Sequence, residues 1–268
     1  MVGLLLGLAC SHGVAGGAGV AGEPLPLPSL AVSCEASALV HRGSEWIVGD
    51  NESEDRVFVY DESMQLLREE PIAAPIEDIE GLALAGNELI VVGSHSLSKK
   101  GKPRPDRHRI LGLGAPAIAL QFAGVDAANI EGAAFWNGSL TVGLRAPLFA
   151  GKARLMAVAG GAQAGMILST TDIDLAGAGV RALAPWKGGV LIVGGPTSDQ
   201  DVSHSLWFLP ALGAAPMLLP EVLPPSTEGI WADGTRLRFV VDGDGEPGAC
   251  KEPSRWGELD VAALAPAP

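Results

Sequence analysis

Apolar residues along this chain fall in short runs separated by turn residues, and no helical period connects them. The runs come in pairs. Ile79, Leu82 and Leu84 are followed, across Gly86-Asn87, by Leu89, Ile90, Val91 and Val92. Such runs, bounded by Gly, Asn and Asp, predict strands joined by tight hairpins. The double run recurs as CEASALVHRGSEWIVGD, DIEGLALAGNELIVVGS, NIEGAAFWNGSLTVGLR, GVRALAPWKGGVLIVGG and STEGIWADGTRLRFVVD. Its anchors are Glu35, Glu80, Glu131, Arg181 and Glu228, spaced 45, 51, 50 and 47 residues apart. The turns inside the units are Gly43-Ser44, Gly86-Asn87, Asn137-Gly138, Gly188-Gly189 and Asp233-Gly234, pairs that supply the positive φ of a tight hairpin.

A third strand follows each double run: RVFVYD from Arg56, RHRILGL from Arg107, ARLMAVA from Ala153 and SLWFLP from Ser205. A fourth is fainter, as in Met64 to Ile72 and Ala117 to Phe122. Four strands per repeat, at this period, predict the blades of a β-propeller. The last unit has only one further run, WGELDVAAL from Trp256, so the segment PLPSLAV before Cys34 is expected to complete its blade. The expectation is therefore an all-β fold: a five-bladed β-propeller over residues 24–264, closed by strands from both termini so that no sheet edge stays open. A β-sandwich or a six-bladed ring competes with it, and the even spacing favours five blades.

Composition agrees with one large β domain: 268 residues with 36 Gly and 20 Pro. A net charge of −13 argues against general affinity for nucleic acid or an anionic membrane surface. One stretch runs against it. Lys99 to Arg109 holds six Lys or Arg and one Asp, either a solvated loop or a local anion-binding arm. Nothing in the chain calls for self-association, and a monomer is expected.

The start, MVGLLLGLAC, reads as a lipoprotein signal over residues 1–10, with Cys10 as the lipidated residue and a Gly/Ala-rich linker over 11–23. Gly7 stands where Leu is usual, and no Lys or Arg precedes the apolar run, so plain secretion and a cytoplasmic protein stay open. The run is too short for the ~20 residues of a membrane span. The expected place is outside the cytoplasm, at the cell envelope or beyond, with any membrane contact made through Cys10. Cys34 and Cys250 then remain. Cys34 enters the first inner strand and Cys250 follows the second strand of the last blade, so both fall on one face in adjacent blades. A disulfide is expected there, against two unrelated thiols.

The same geometry collects polar residues at one mouth of the central channel. Glu35, Glu80, Glu131 and Glu228 are expected to converge there with Arg181, and Asp242 adds another carboxylate. Like charges held close raise one another's pKa or recruit a cation, and Ca²⁺ would suit this many oxygens. The competing reading has each Glu capping backbone N–H groups or pairing with a neighbouring blade. Asp50, Ser94, His95 and Arg145 come from loops ending on that face, and Asp50, Ser94, Arg145 and Arg181 are candidate ligand contacts. The stretch from Asp242 to Glu252 alternates acids as a calcium loop does, but Pro247 replaces the required Gly, so it is an acidic turn and not an EF-hand. Gly17, Gly19 and Gly22 spell a dinucleotide fingerprint without the strand and helix it needs.

DIEGLAL at Asp78, GSHS at Gly93, NIEG at Asn129, GLRAP at Gly143, GVRAL at Gly179 and STEGI at Ser226 together resemble an uncharacterised bacterial family. That family is a domain of unknown function marked by a Gly-Leu-Arg-Gly-Pro motif, in which this chain has Ala146 for the second Gly. More distantly, the units resemble phytase-like esterase propellers. The first resemblance implies fold and boundaries. The second implies, by analogy alone, metal-assisted hydrolysis of a phosphate or carboxylic ester. The leading expectation is an envelope-associated propeller that binds a small or anionic ligand with a divalent cation. The alternative is a metal-assisted esterase or phosphatase in which the Glu ring holds the metal, Arg145 and Arg181 neutralise the substrate and His95 is the acid or base.

Overall fold

Strands whose two faces are both apolar need cover on both sides, and radial packing of sheets supplies it. The computed structural model, which describes residues 26–112, 114–119, 128–245 and 249–262, is a five-bladed β-propeller. The first blade is β1 (Ala36–Arg42), β2 (Glu45–Asp50), β3 (Arg56–Tyr60) and β4 (Leu66–Pro71). The second is β5 (Ile79–Ala85), β6 (Glu88–Gly93), β7 (Arg109–Gly112) and β8 (Ala115–Ala119). The third is β9 (Asn129–Trp136), β10 (Ser139–Ala146), β11 (Ala153–Val158) and β12 (Ile167–Ile173). The fourth is β13 (Gly179–Trp186), β14 (Gly189–Gly195), β15 (His204–Leu209) and β16 (Met217–Leu223). The last is β17 (Thr227–Asp233), β18 (Arg236–Val241) and β19 (Arg255–Asp260). Each sheet is an antiparallel meander, and β1, β5, β9, β13 and β17 contact one another in ring order around the axis. The leader over 1–10, the linker over 11–23 and Cys10 lie outside the described residues.

An apolar cluster fills each blade-to-blade seam. Ile47, Val57 and Val59 meet Ile79 and Val91 between the first two blades. Ile90 and Ile110 meet Ile130 and Val142 at the next seam, and Leu155 meets Val190 and Ile192 at the third. Leu191 and Phe208 pack on Ile230 and Phe239 at the fourth. Trp136 and Trp186 reach across their seams, donating from Nε1 to the Gly188 and Gly234 carbonyls of the next blade at 3.0 and 3.1 Å. The hairpins lie where the turn residues put them, except that those of the last two units use Lys187-Gly188 and Gly234-Thr235, one residue off the expected pairs.

The ring closes on the last blade, where residues from both termini meet. Ser29 bridges Arg255, the Leu30 amide donates to the Ser254 carbonyl at 2.7 Å, and the Trp256 amide donates to the Pro28 carbonyl at 3.0 Å. The N-terminal contribution is one bridge and not a full strand. Pro26 and Pro28 have no N–H to give a ladder. Leu30 instead anchors the segment by burial among Leu39, Trp46, Tyr60 and Val240. Cys34 and Cys250 form a disulfide, with Cα atoms 5.3 Å apart across 216 residues of sequence.

That bond ties the start of the first inner strand to the loop leaving the last blade. Replacing both cysteines by serine should therefore loosen the closing seam. We expect a loss of roughly 2–5 kcal/mol and a melting temperature lower by roughly 5–15 °C, read by calorimetry under non-reducing conditions. An unchanged melting temperature would show that the hydrophobic seam alone closes the ring.

Candidate functional site

Every inner strand carries a β-bulge near its start. Pairing skips one residue in each, and the skipped residues are Ser37, Glu80, Glu131, Arg181 and Glu228. A bulge re-aims one side chain out of the ladder, here toward the axis. Four of the five expected anchors hold this position. In the first blade Ser37 holds it, and Glu35 lies two residues upstream, equivalent to Asp78, Asn129, Gly179 and Ser226. The residue after the bulge must be small. A Cβ on Gly81 would meet that of Ala133 at 2.7 Å, and one on Gly132 would meet Leu183 at 2.9 Å. The repeated Glu-Gly pair thus has two jobs: glutamate faces the channel while glycine lets inner strands approach.

Ser37, Glu80, Glu131 and Glu228 line a narrow throat. Above it opens a cavity of about 680 Å³, to which all five blades contribute, lined by Glu35, Glu80, Glu131, Arg145, Arg181 and Glu228 and by residues of the surrounding loops. Arg181 is 6 % exposed and lies between two acids, 2.8 Å from Glu131 and in direct contact with Glu228. Arg145 holds Glu131 at 2.8 Å and reaches Asp199 at 2.6 Å. Arg107 contacts Asp78 at 3.1 Å and Glu77 at 3.1 Å. Of the five expected metal carboxylates, Glu35, Glu80, Glu131, Glu228 and Asp242, two are therefore neutralised by a guanidinium, Glu131 and Glu228. Among the described residues no group of three or more His, Cys, Asp or Glu is arranged to hold a metal ion. The donor set does not fit Ca²⁺, which takes six to eight oxygens, because Glu131 and Glu228 are committed to Arg181.

Compensation is uneven around the ring. Glu80, 7 % exposed, lines both throat and cavity, and its Oε2 has no hydrogen-bond partner among the described residues. Asp242 Oδ1 and Asn51 Oδ1, both on the same side, are likewise buried without a donor. Burial raises the Glu80 pKa well above the carboxylate range, with Asp78, Glu131 and Glu228 adding to it. Burial, then Glu228 and Glu35, pushes Asp242 to about 9. Burial also raises Glu35. Glu131 reaches about 7, as burial outweighs the pull of Arg181.

Not every expected residue faces the cavity. His95 is buried 3 % exposed, outside the lining. Its backbone is left-handed (φ 58°), its Nδ1 lies 2.9 Å from the Gly93 carbonyl, and its ring stacks on His108 at 5.3 Å. Burial lowers its pKa to about 4. Asp50 is consumed by the backbone: it accepts from the Cys34, Glu35 and Glu52 amides at 2.9, 3.1 and 3.1 Å and from Ser33 Oγ at 2.9 Å. Ser94 donates to Asp78 and holds it in place. His204 and Asp78, which the sequence did not single out, also line the cavity, as does Arg107 of the basic arm. Asp78 had a signal: it shares its repeat position with Glu35 and Ser226, two residues before the bulge. His204 is held by its Nδ1 at 3.1 Å from the Thr227 carbonyl, and burial with Arg181 nearby lowers its pKa to about 4.

These shifts fix a pH dependence. Asp242 and Glu131 are raised, so the folded protein holds protons that the unfolded chain releases, and stability falls as pH rises toward their folded pKa values. The depressed histidines act oppositely, but only below their unfolded pKa of about 6.5. Between pH 7 and 9 the carboxyls act alone. The melting temperature should fall there on the order of 3 °C per pH unit, and Asp242→Asn should flatten the slope. A slope unchanged by that substitution would refute the assignment.

The family model described as Protein of unknown function (DUF3616) matches residues 38–112 and 118–214, well over half of the chain. No protein of curated function matches the sequence significantly. Among solved structures, the fold is similar to that of glutaminyl cyclase from Myxococcus xanthus, at 15% identity over 87% of this chain and 94% of that one, with a TM-score of 0.51. It is also similar to exo-beta-1,3-galactanase from Phanerochaete chrysosporium, at 11% identity over 90% of this chain and 65% of that one, with a TM-score of 0.57. At these identities the likeness is one of fold alone. With its repeats, its five blades and the match along most of them, the chain belongs to the DUF3616 family of proteins of unknown function.

Proposed function

We propose that this protein binds a small polar ligand in the mouth of its propeller. The observation that carries the reading is Glu80, a buried carboxyl group whose Oε2 has no hydrogen-bond partner among the described residues, at the floor of a cavity of about 680 Å³. That volume lies in the range of small-molecule sites, roughly 300–1,000 Å³. A buried acceptor left without a donor costs free energy that a bound donor recovers. The walls are ion-paired and so pre-organised, which lowers the ordering cost of binding. The Cys34–Cys250 disulfide fits an exported protein, since such bonds persist in oxidising compartments. A cyclase and a galactanase share this fold, so the fold does not choose the chemistry. A hydrolytic role has less support, because His95, its acid–base candidate, is stacked on His108 and is not among the residues that line the cavity.

A thermal-shift screen over amino acids, amines, dicarboxylates, sugars, nucleotides and calcium tests the proposal. At least one compound should raise the wild-type melting temperature, by roughly 5–10 °C at a hundredfold excess over Kd. Glu80→Gln should lose that rise while melting no lower than wild type, because it removes an unpaired buried carboxyl. A panel without effect, or compounds that stabilise the variant equally, would contradict it.

A further inference from the structure

The mouth is charged differently on its two sides. The fifth, first and second blades contribute Asp242, Glu35, Asn51 and Glu80, and Asp242, Asn51 and Glu80 each hold a buried acceptor oxygen without a donor among the described residues. The second, third and fourth blades contribute Lys99, Arg145 and Arg181. Lys99 belongs to the basic arm that the sequence singles out. Arg104 and Arg107 pin that arm to Glu77, at 2.8 and 3.1 Å, and Lys99 lies near enough to Asp199 to help lower its pKa. The arm therefore supplies a cation to the rim and is not a detached solvated loop.

Resting on the ligand-binding reading, we infer that the ligand is a zwitterion, whose ammonium enters the Glu80 side and whose carboxylate or other anionic group takes the Arg145 side. An ammonium brings three N–H donors to a wall of acceptors that lack them. It also brings a positive charge beside Glu80 and Asp242, which draws off the protons that burial holds on them and leaves carboxylates to accept its N–H groups, since Arg181 is spent on Glu131 and Glu228. A bare divalent cation supplies charge, but among the described residues the acids do not gather into a ligand set.

The other half has a replaceable partner. Arg145 is bound to Asp199, whose side chain is 99 % exposed and comes from the loop between β14 and β15. A ligand carboxylate can take over that contact like for like, leaving Asp199 to water. Arg145 keeps Glu131 through its other nitrogen, so the site need not be dismantled.

Matched probes test this: 4-aminobutyrate, 6-aminohexanoate and glycylglycine as zwitterions, putrescine and calcium as cations, and succinate as the anion. Titration calorimetry should show at least one zwitterion binding the wild-type protein, with every single-sign probe weaker by roughly tenfold or more, the loss expected of one charge-assisted contact. Glu80→Gln and Arg145→Met should each weaken it by a similar factor. Arg145→Met leaves Glu131 with less compensation, so Asp199→Ala, on the surface, is the independent variant. It removes the competitor for Arg145 and should tighten zwitterion binding severalfold. Unchanged or weaker binding by Asp199→Ala would overturn the inference, as would calcium, putrescine or succinate binding as tightly as the best zwitterion. If the zwitterions fail but a sugar or a single-sign compound binds in a Glu80-dependent way, the zwitterion falls and the ligand-binding reading stands. If nothing binds, both fall.

Discussion

Arg181 stands where the inner strands converge, and its guanidinium is the counter-charge that lets Glu131 and Glu228 stay buried. Moving three ionisable groups out of water is expensive, and removing one member of such a set leaves a charge uncompensated. The triad spans the third, fourth and fifth blades. It links their inner strands through the channel while the apolar seams link them outside it. The acidic ring is therefore not a uniform circle waiting for a metal. It is a paired arc with an unpaired remainder at Glu80, and the unpaired remainder is what gives the mouth its chemistry.

The same asymmetry coincides with the closing seam. Glu35 follows Cys34, and Asp242 opens the loop between β18 and β19 that carries Cys250, so the disulfide holds the acid side of the mouth as well as the ring. Asp50 adds a second brace by gathering the amides of Cys34, Glu35 and Glu52. Opposite, Arg145 is held in part by Asp199, a surface carboxylate that can exchange partners, while Glu77 pins the basic arm. One side is fixed and short of donors, and the other is adjustable and rich in them.

The blades were legible in the sequence because every inner strand is covered on both faces, so it reads as an apolar run, and because a glycine must follow each inward glutamate. The register of the first blade was not. In Cys-Glu-Ala-Ser-Ala the glutamate lies two residues before the bulge, and only the pairing of Ala36 with Asp50 and Ala38 with Gly49 shows that Ser37 faces the channel. Carboxylate convergence could be foreseen from matched positions. Its neutralisation by Arg181 could not, since contacts across 47 and 50 residues depend on how the ring closes. His95 lies outside the lining, with a left-handed backbone and its ring on His108, a local arrangement that its place after β6 does not reveal.

If Arg181 compensates Glu131 and Glu228 and leaves Glu80 aside, the two kinds of carboxyl must titrate differently in the ligand-free protein. Carboxyl carbon NMR with labelled glutamate and aspartate, assigned through Glu80→Gln and Asp242→Asn, measures this directly. The account predicts that Glu80 titrates well above the carboxylate range and Asp242 near 9. Ordinary titration of both groups, around pH 4, would contradict it, because the acid side of the mouth would then be solvated and no donor-bearing ligand would be called for.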